Sequence, residues 1–108
     1  MTVGELIQKL NLEPFAVYDG ERTVSGGYAG DLLSWVMGRA MEGDAWVTIM
    51  SNPNIVAVAT LADVSCVILA EGVVPDAGVA ETALARGANL LGSGETAFAL
   101  CGRIAALL

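Results

Sequence analysis

Three short stretches carry the residue types that hold small anions or metal ions. They are Ser51, Asn52 and Asn54 around Pro53, then Glu71 and Gly72 ahead of Asp76, then Ser93 between two glycines before Glu95. A fourth, Gly26-Gly27-Tyr28-Ala29-Gly30 followed by Asp31, is glycine-rich enough to resemble a phosphate cradle. Hydroxyls, side-chain amides and unpaired N–H groups at helix starts attract phosphate or carboxylate, helped by the helix dipole. The carboxylates of Asp31, Glu71 and Asp76, if brought together, would suit a divalent ion or proton transfer. Each stretch also has a plainer use. Asn52-Pro53 reads as a cap followed by proline at the first helical position. Ser93-Gly94 reads as a loop and cap, and isolated carboxylates in loops are ordinarily solvated. The glycine run matches neither the dinucleotide fingerprint nor the Walker pattern and lacks a Walker lysine, so a bend is the simpler reading. The chain has no histidine, which excludes a Ser-His-Asp triad, a Cys-His pair and any histidine metal site on it.

Positioning these stretches requires helices and strands in alternation. Thr2 and Glu5 make a capping-box pattern ahead of Val3, Leu6, Ile7 and Leu10 at helical spacing, with Pro14 as the expected stop. Residues 15–18 read as a short strand, Asp19-Gly20 as a turn, and residues 22–25 as a possible second short strand. Asp31 suits the N-cap of a helix over 32–40. From Asp44 onward one unit recurs three times: a strand over 45–50 and a helix over 54–62, a strand over 65–70 and a helix over 76–86, and a strand over 88–91 and a helix over 95–107. Such strand-loop-helix units imply parallel strands joined by right-handed crossovers. The fold class is therefore α/β: one three-layer domain spanning 1–108 around a mainly parallel sheet. In such sheets ligands collect at the carboxyl ends of the strands, where 51–54, 71–76 and 92–95 lie.

Composition narrows the function. Hydrophobic residues make up 55% of the chain and aromatics only 6%, so the core is built from Ala, Val, Leu and Ile. Twelve Asp and Glu against five scattered Lys and Arg give a net charge of -7. Nucleic acids and anionic membranes need a dense basic surface, so neither is an expected partner. No apolar run approaches the roughly 20 residues that cross a bilayer, and the N-terminus lacks a secretory pattern. A cytoplasmic location is expected. Cys66 and Cys101 read as reduced thiols inside apolar segments, with a disulfide as the alternative. Trp35 and Trp46 are each either core residues or markers of a self-association surface.

The succession Ser25-Gly26-Gly27-Tyr28-Ala29-Gly30-Asp31-Leu32-Leu33-Ser34-Trp35-Val36-Met37-Gly38, followed by Gly43-Asp44-Ala45-Trp46-Val47-Thr48, resembles the DRTGG domain. It is especially similar to small stand-alone members of that family. The resemblance runs through nearly the whole chain. It implies the fold of the N-terminal domains of HPr kinase/phosphorylase and the Mur ligases, without their catalytic domains, and a part in regulation and dimer formation. Stand-alone relatives also point to a protein partner in redox or hydrogenase-associated systems. The naming motif is altered: Ser51 and Asn52 stand where Asp-Arg is usual, and Ala70-Glu71-Gly72 replaces Thr-Gly-Gly.

A non-catalytic regulatory or adaptor domain follows, expected to be a homodimer recognising a small ligand such as a nucleotide, or a protein partner. The candidate ligand residues are Asp31, Ser51, Asn52, Asn54, Glu71, Gly72 and Ser93. No catalytic residue, metal or cofactor is expected. The alternatives are a purely structural assembly protein, or a small phosphate- or metal-dependent enzyme using Asp31, Glu71 or Ser93.

Overall fold

Three strands, β3 (Asp44–Thr48), β4 (Cys66–Leu69) and β5 (Leu90–Gly92), are buried at every position in a computed structural model that describes residues 1–108. Continuous burial means that both faces of the sheet are covered, the expected state of parallel strands. Alternate side chains separate into two cores. Trp46, Val67, Leu69 and Leu90 enter one, with Val36, Ile55, Val56, Ala59, Val79 and Ala83. Ala45, Val47, Cys66, Ile68 and Leu91 enter the other, with Val3, Leu6, Leu10, Leu100 and Ile104. The first core is roofed by α2 (Leu33–Arg39), α3 (Asn54–Ala62) and α4 (Val79–Arg86), the second by α1 (Val3–Leu10) and α5 (Ala97–Leu107). The three-layer α/β reading holds.

The sheet has the order β1-β5-β4-β3-β2, with β1 (Glu13–Ala16) antiparallel to β5 and the other neighbours parallel. Its outer parallel strand, β2 (Gly26–Ala29), occupies the run expected to be a glycine-rich bend. Gly26 and Gly27 pair in register with Asp44 and Ala45. Crowding explains Gly26, where a Cβ would stand 2.7 Å from the Asp44 Oδ1. The strand expected over 22–25 reduces to one bridge between Thr2 and Thr23.

Two further expectations are corrected. Helix α1 ends at Asn11 in the left-handed conformation, three residues before Pro14, which lies within edge strand β1. Proline is tolerated there because an edge strand has one row of N–H groups without partners. Asp31 does not cap α2, whose N-cap is Leu32 without a side-chain bond. Its Oδ1 instead accepts from Thr48 Oγ1 at 2.8 Å and Ile49 N at 2.9 Å, tying the end of β2 to the end of β3. The capping box on α1 forms as read, with Glu5 N donating to Thr2 Oγ1 and Thr2 N to Glu5 Oε1. Those bonds hold the Glu5 carboxyl below its usual range.

Trp46 is fully buried, whereas Trp35 is half exposed with the Arg39 guanidinium 3.7 Å above its ring. Both thiols are free, Cys66 buried and Cys101 partly so. Burial pushes the Cys101 thiol up and the Cys66 thiol up to about 12, with Arg22 opposing slightly at Cys66. An unfolded thiol ionises near 8.5, so the folded state favours the neutral form. Its contribution is intact below about pH 8.5 and is lost as the pH rises toward 12, at up to about 1.4 kcal/mol per pH unit. Urea unfolding between pH 8 and 10.5 should therefore show a steeper stability loss in the native chain than in Cys66→Ala. Equal slopes would mean that the thiol is solvated.

No helix is long and apolar enough to cross a membrane.

Candidate functional site

All four parallel strands run toward the same edge, so the loops after β2, β3, β4 and β5 form a crest there. Along it lie Asp31, then Ser51, Asn52 and Asn54, then Glu71, Gly72 and Asp76, then Ser93. Neighbouring loops are stitched in pairs. Ser51 Oγ donates to Asp76 Oδ1 at 2.8 Å, and Asp76 N returns a bond to Ser51 O at 3.0 Å. Gly72 N donates to Ser93 O at 2.9 Å, and Glu71 N to Glu95 O at 2.8 Å.

The polar side chains on this crest are largely used by the fold. Asn52 Oδ1 accepts from Asn54 N at 2.9 Å, but the N-cap of α3 is Pro53, so Asn52 closes the turn one residue ahead of the cap position read for it from the sequence. Ser93 Oγ accepts from Glu95 N at 3.1 Å. Glu71 sits in the left-handed region with φ 62°, and its Oε2 accepts from Ala97 N at 2.9 Å. A carboxylate of the chain itself thus occupies the start of α5, where a phosphate would otherwise bind. Thr96 Oγ1 accepts from Ala99 N, two residues further on. Arg103, the nearest cation along α5, is paired with Glu95 at 2.7 Å. Asp31, Glu71 and Asp76 each have a separate partner and do not assemble into one cluster. No group of three or more cysteine, aspartate or glutamate side chains is arranged to hold a metal ion.

Only two of the seven candidates, Gly72 and Ser93, line a common cavity. It is a cleft of about 410 Å³ between the 72–74 and 92–94 loops on one side and Asn11, Leu12, Glu13 and Phe15 on the other. This is where the parallel sheet meets its antiparallel edge strand. Pairing shifts between Pro14↔Leu91 and Ala16↔Leu90, so Phe15 is the extra residue of a bulge. Bulges re-aim side chains, and here the Phe15 ring rests on Gly92, where a Cβ would lie 2.4 Å from Cε2. Asn11, Glu13 and Phe15 belong to no sequence motif that marks a site. The one local hint was Pro14, which suits an edge strand beside a bulge.

A second concavity, of about 420 Å³, is chemically different. It runs between β2 and the C-terminal half of α5, floored by Gly27, Ala29, Ala45 and Val47 and walled by Cys101, Ile104 and Ala105. No charged residue lines it. It exists because β2 presents glycine and alanine on that face.

No family model matches the chain, and no curated protein matches its sequence. Among solved structures it is similar to the CBS and DRTGG domains of the regulatory region of Clostridium perfringens pyrophosphatase, crystallised with the activator diadenosine tetraphosphate. The TM-score is 0.68 at 15% identity, covering 92% of this chain and 44% of that one. This chain therefore spans less than half of that structure's length. The likeness defines a DRTGG-like α/β fold.

Proposed function

We propose that the chain is a non-catalytic regulatory or adaptor domain, residues 1–108 forming one DRTGG-like unit that recognises a small ligand at the carboxyl edge of its sheet. The observation that carries this reading is the cleft holding Gly72 and Ser93 at the carboxyl ends of β4 and β5, the edge at which open α/β sheets usually bind ligands. Asp31, Ser51, Asn52, Asn54 and Glu71 then act as the frame that fixes the loops around it. Two facts favour binding over catalysis. The chain lacks histidine, and its loop hydroxyls and carboxylates are engaged in structural bonds. The similarity to a regulatory region that binds a nucleotide activator supports the same class. Action inside the cytoplasm, as a homodimer or beside a protein partner, belongs to this proposal.

The test is thermal unfolding against nucleosides, nucleotides, other phosphorylated metabolites and divalent cations. A ligand at 100 times its dissociation constant adds about 2.7 kcal/mol, which should raise the midpoint by roughly 10 °C or more. A midpoint unmoved across the panel would sink the small-ligand reading.

Two observations favour a second reading, an assembly protein without a ligand. Phe98 on α5 is 92% exposed, and the unpaired edge of β2 borders the apolar groove. A flat thermal panel together with a dimer in sedimentation would support it.

A further inference from the structure

The reading of the 72–74/92–94 cleft as a ligand site can be taken one step further, to the chemistry of what it holds, and the step rests on that reading. We infer that the cleft takes an uncharged, planar heteroaromatic ring bearing N–H donors, a nucleobase in nucleoside form, and not a phosphorylated group.

Electrostatics carries the first half. Glu13 is the only ionisable side chain lining the cleft, and no lysine or arginine lines it. Of the amides opening α5, those of Ala97 and Ala99 already bond Glu71 and Thr96, and Phe98 does not line the cleft. Arg103 is committed to Glu95. A phosphate entering here would meet a carboxylate and find no free cation, in a chain of net charge -7. Each added phosphate makes that worse.

Shape and hydrogen-bonding capacity carry the second half. The volume of about 410 Å³ lies in the range of small-molecule sites. Phe15, half-buried and seated on Gly92 by the bulge, supplies an aromatic surface held in one place. Around it stand groups able to read a heteroaromatic edge. The Glu13 carboxylate accepts, the Asn11 side-chain amide both donates and accepts, and the backbone N–H groups of Val74 and Gly94 have no partner within the chain. A ring with an exocyclic amino group and ring nitrogens satisfies both kinds, whereas a purely hydrocarbon ring would leave them unpaired.

The experiment is an NMR titration of the full chain with adenosine, guanosine and their mono- and triphosphates. Saturable shifts are expected at the amides of Phe15, Gly72, Gly92 and Gly94, with affinity falling as phosphates are added. Glu13→Gln, an exposed substitution that should leave the unfolding midpoint unchanged, should weaken nucleoside binding about tenfold through loss of the charged acceptor. Phe15→Ala should abolish binding, and because it also touches the core its folding is checked by the same spectra. The inference is overturned if affinity rises with phosphate number, if the shifts map elsewhere, or if both nucleosides at millimolar concentration leave these amides unmoved. In the last case, a thermal shift from another class of ligand would leave the regulatory reading standing while this inference fell.

Discussion

Replacing Trp46 with alanine should cost about 3–5 kcal/mol, the range for emptying a fully buried large aromatic site. Trp46 is fully buried in the middle of β3, where its ring fills the core roofed by α2, α3 and α4. The buried neighbours are Val, Ile, Ala and Leu, and the two other rings packed on this core, Phe15 and Tyr28, sit partly exposed at its edges. The indole also has a polar task. Its Nε1 donates at 2.9 Å to the carbonyl of Gly30, the residue just past β2. Together with the Asp31 bonds to Thr48 and Ile49, this fixes the turn that leads from the edge strand into α2. Trp46→Phe keeps much of the volume and loses the donor, so it should cost less, about 1–3 kcal/mol. Trp35→Ala, on a half-exposed ring under Arg39, should cost under about 1 kcal/mol. Urea unfolding of the three variants checks the order. A Trp46→Ala protein within 1 kcal/mol of the native chain would mean that this core is loosely filled. Since domains of this size are stable by about 5–15 kcal/mol, the alanine variant approaches the limit of folding at 37 °C.

The same tryptophans illustrate what could be read from the sequence. Both were equally eligible for core or surface, because hydrophobicity alone says nothing about which side of an element a ring takes. Periodicity did better. The apolar runs after Asp44 specified three parallel strands, and the helix expected over 54–62 is α3 to the residue. The helix expected from 76 begins at Val79, because Asp76 is held back by its bonds to Ser51. Failures cluster where a distant partner decides. Gly26 to Ala29 has the composition of a bend, and the approach of Asp44 makes glycine the right strand residue at position 26. Asp31 has the ideal side chain for a cap, yet the hydroxyl of Thr48 and the amide of Ile49 compete for it and win. The crest itself was foreseeable from strand polarity. The cleft was not, because half of it comes from residues 11–15, and their place beside β5 depends on an antiparallel pairing across more than 70 positions.

Asn89→Ala should destabilise the chain by about 2–4 kcal/mol and release two specific amides to solvent exchange. Asn89 is 4% exposed and lies directly before β5. Its Oδ1 accepts from Tyr18 N at 2.8 Å and Asp19 N at 2.9 Å, while Nδ2 donates to Asp19 O at 3.0 Å and Ser65 O at 2.9 Å. Four bonds are the full capacity of a carboxamide. The side chain therefore replaces a missing stretch of ladder, holding the turn after β1 against the amino ends of β4 and β5. Alanine removes all four bonds. Ser65 O, in the interior, loses its bond without water to replace it, an orphaning that costs about 1–3 kcal/mol, and the three part-buried bonds to Tyr18 and Asp19 add to it. Leucine, of similar volume, should do no better, because packing is not what Asn89 supplies. The decisive measurement is native-state hydrogen exchange. Tyr18 and Asp19 amides should lose protection in Asn89→Ala by far more than the global stability loss accounts for, whereas the Trp46 variants should leave that difference small. Unchanged protection at both amides would mean that the turn is held by its own backbone. The functional stakes follow from geometry: this turn continues β1, the strand that carries Glu13 and Phe15 into the cleft, so loosening it should also soften the proposed ligand site from the opposite end of the sheet.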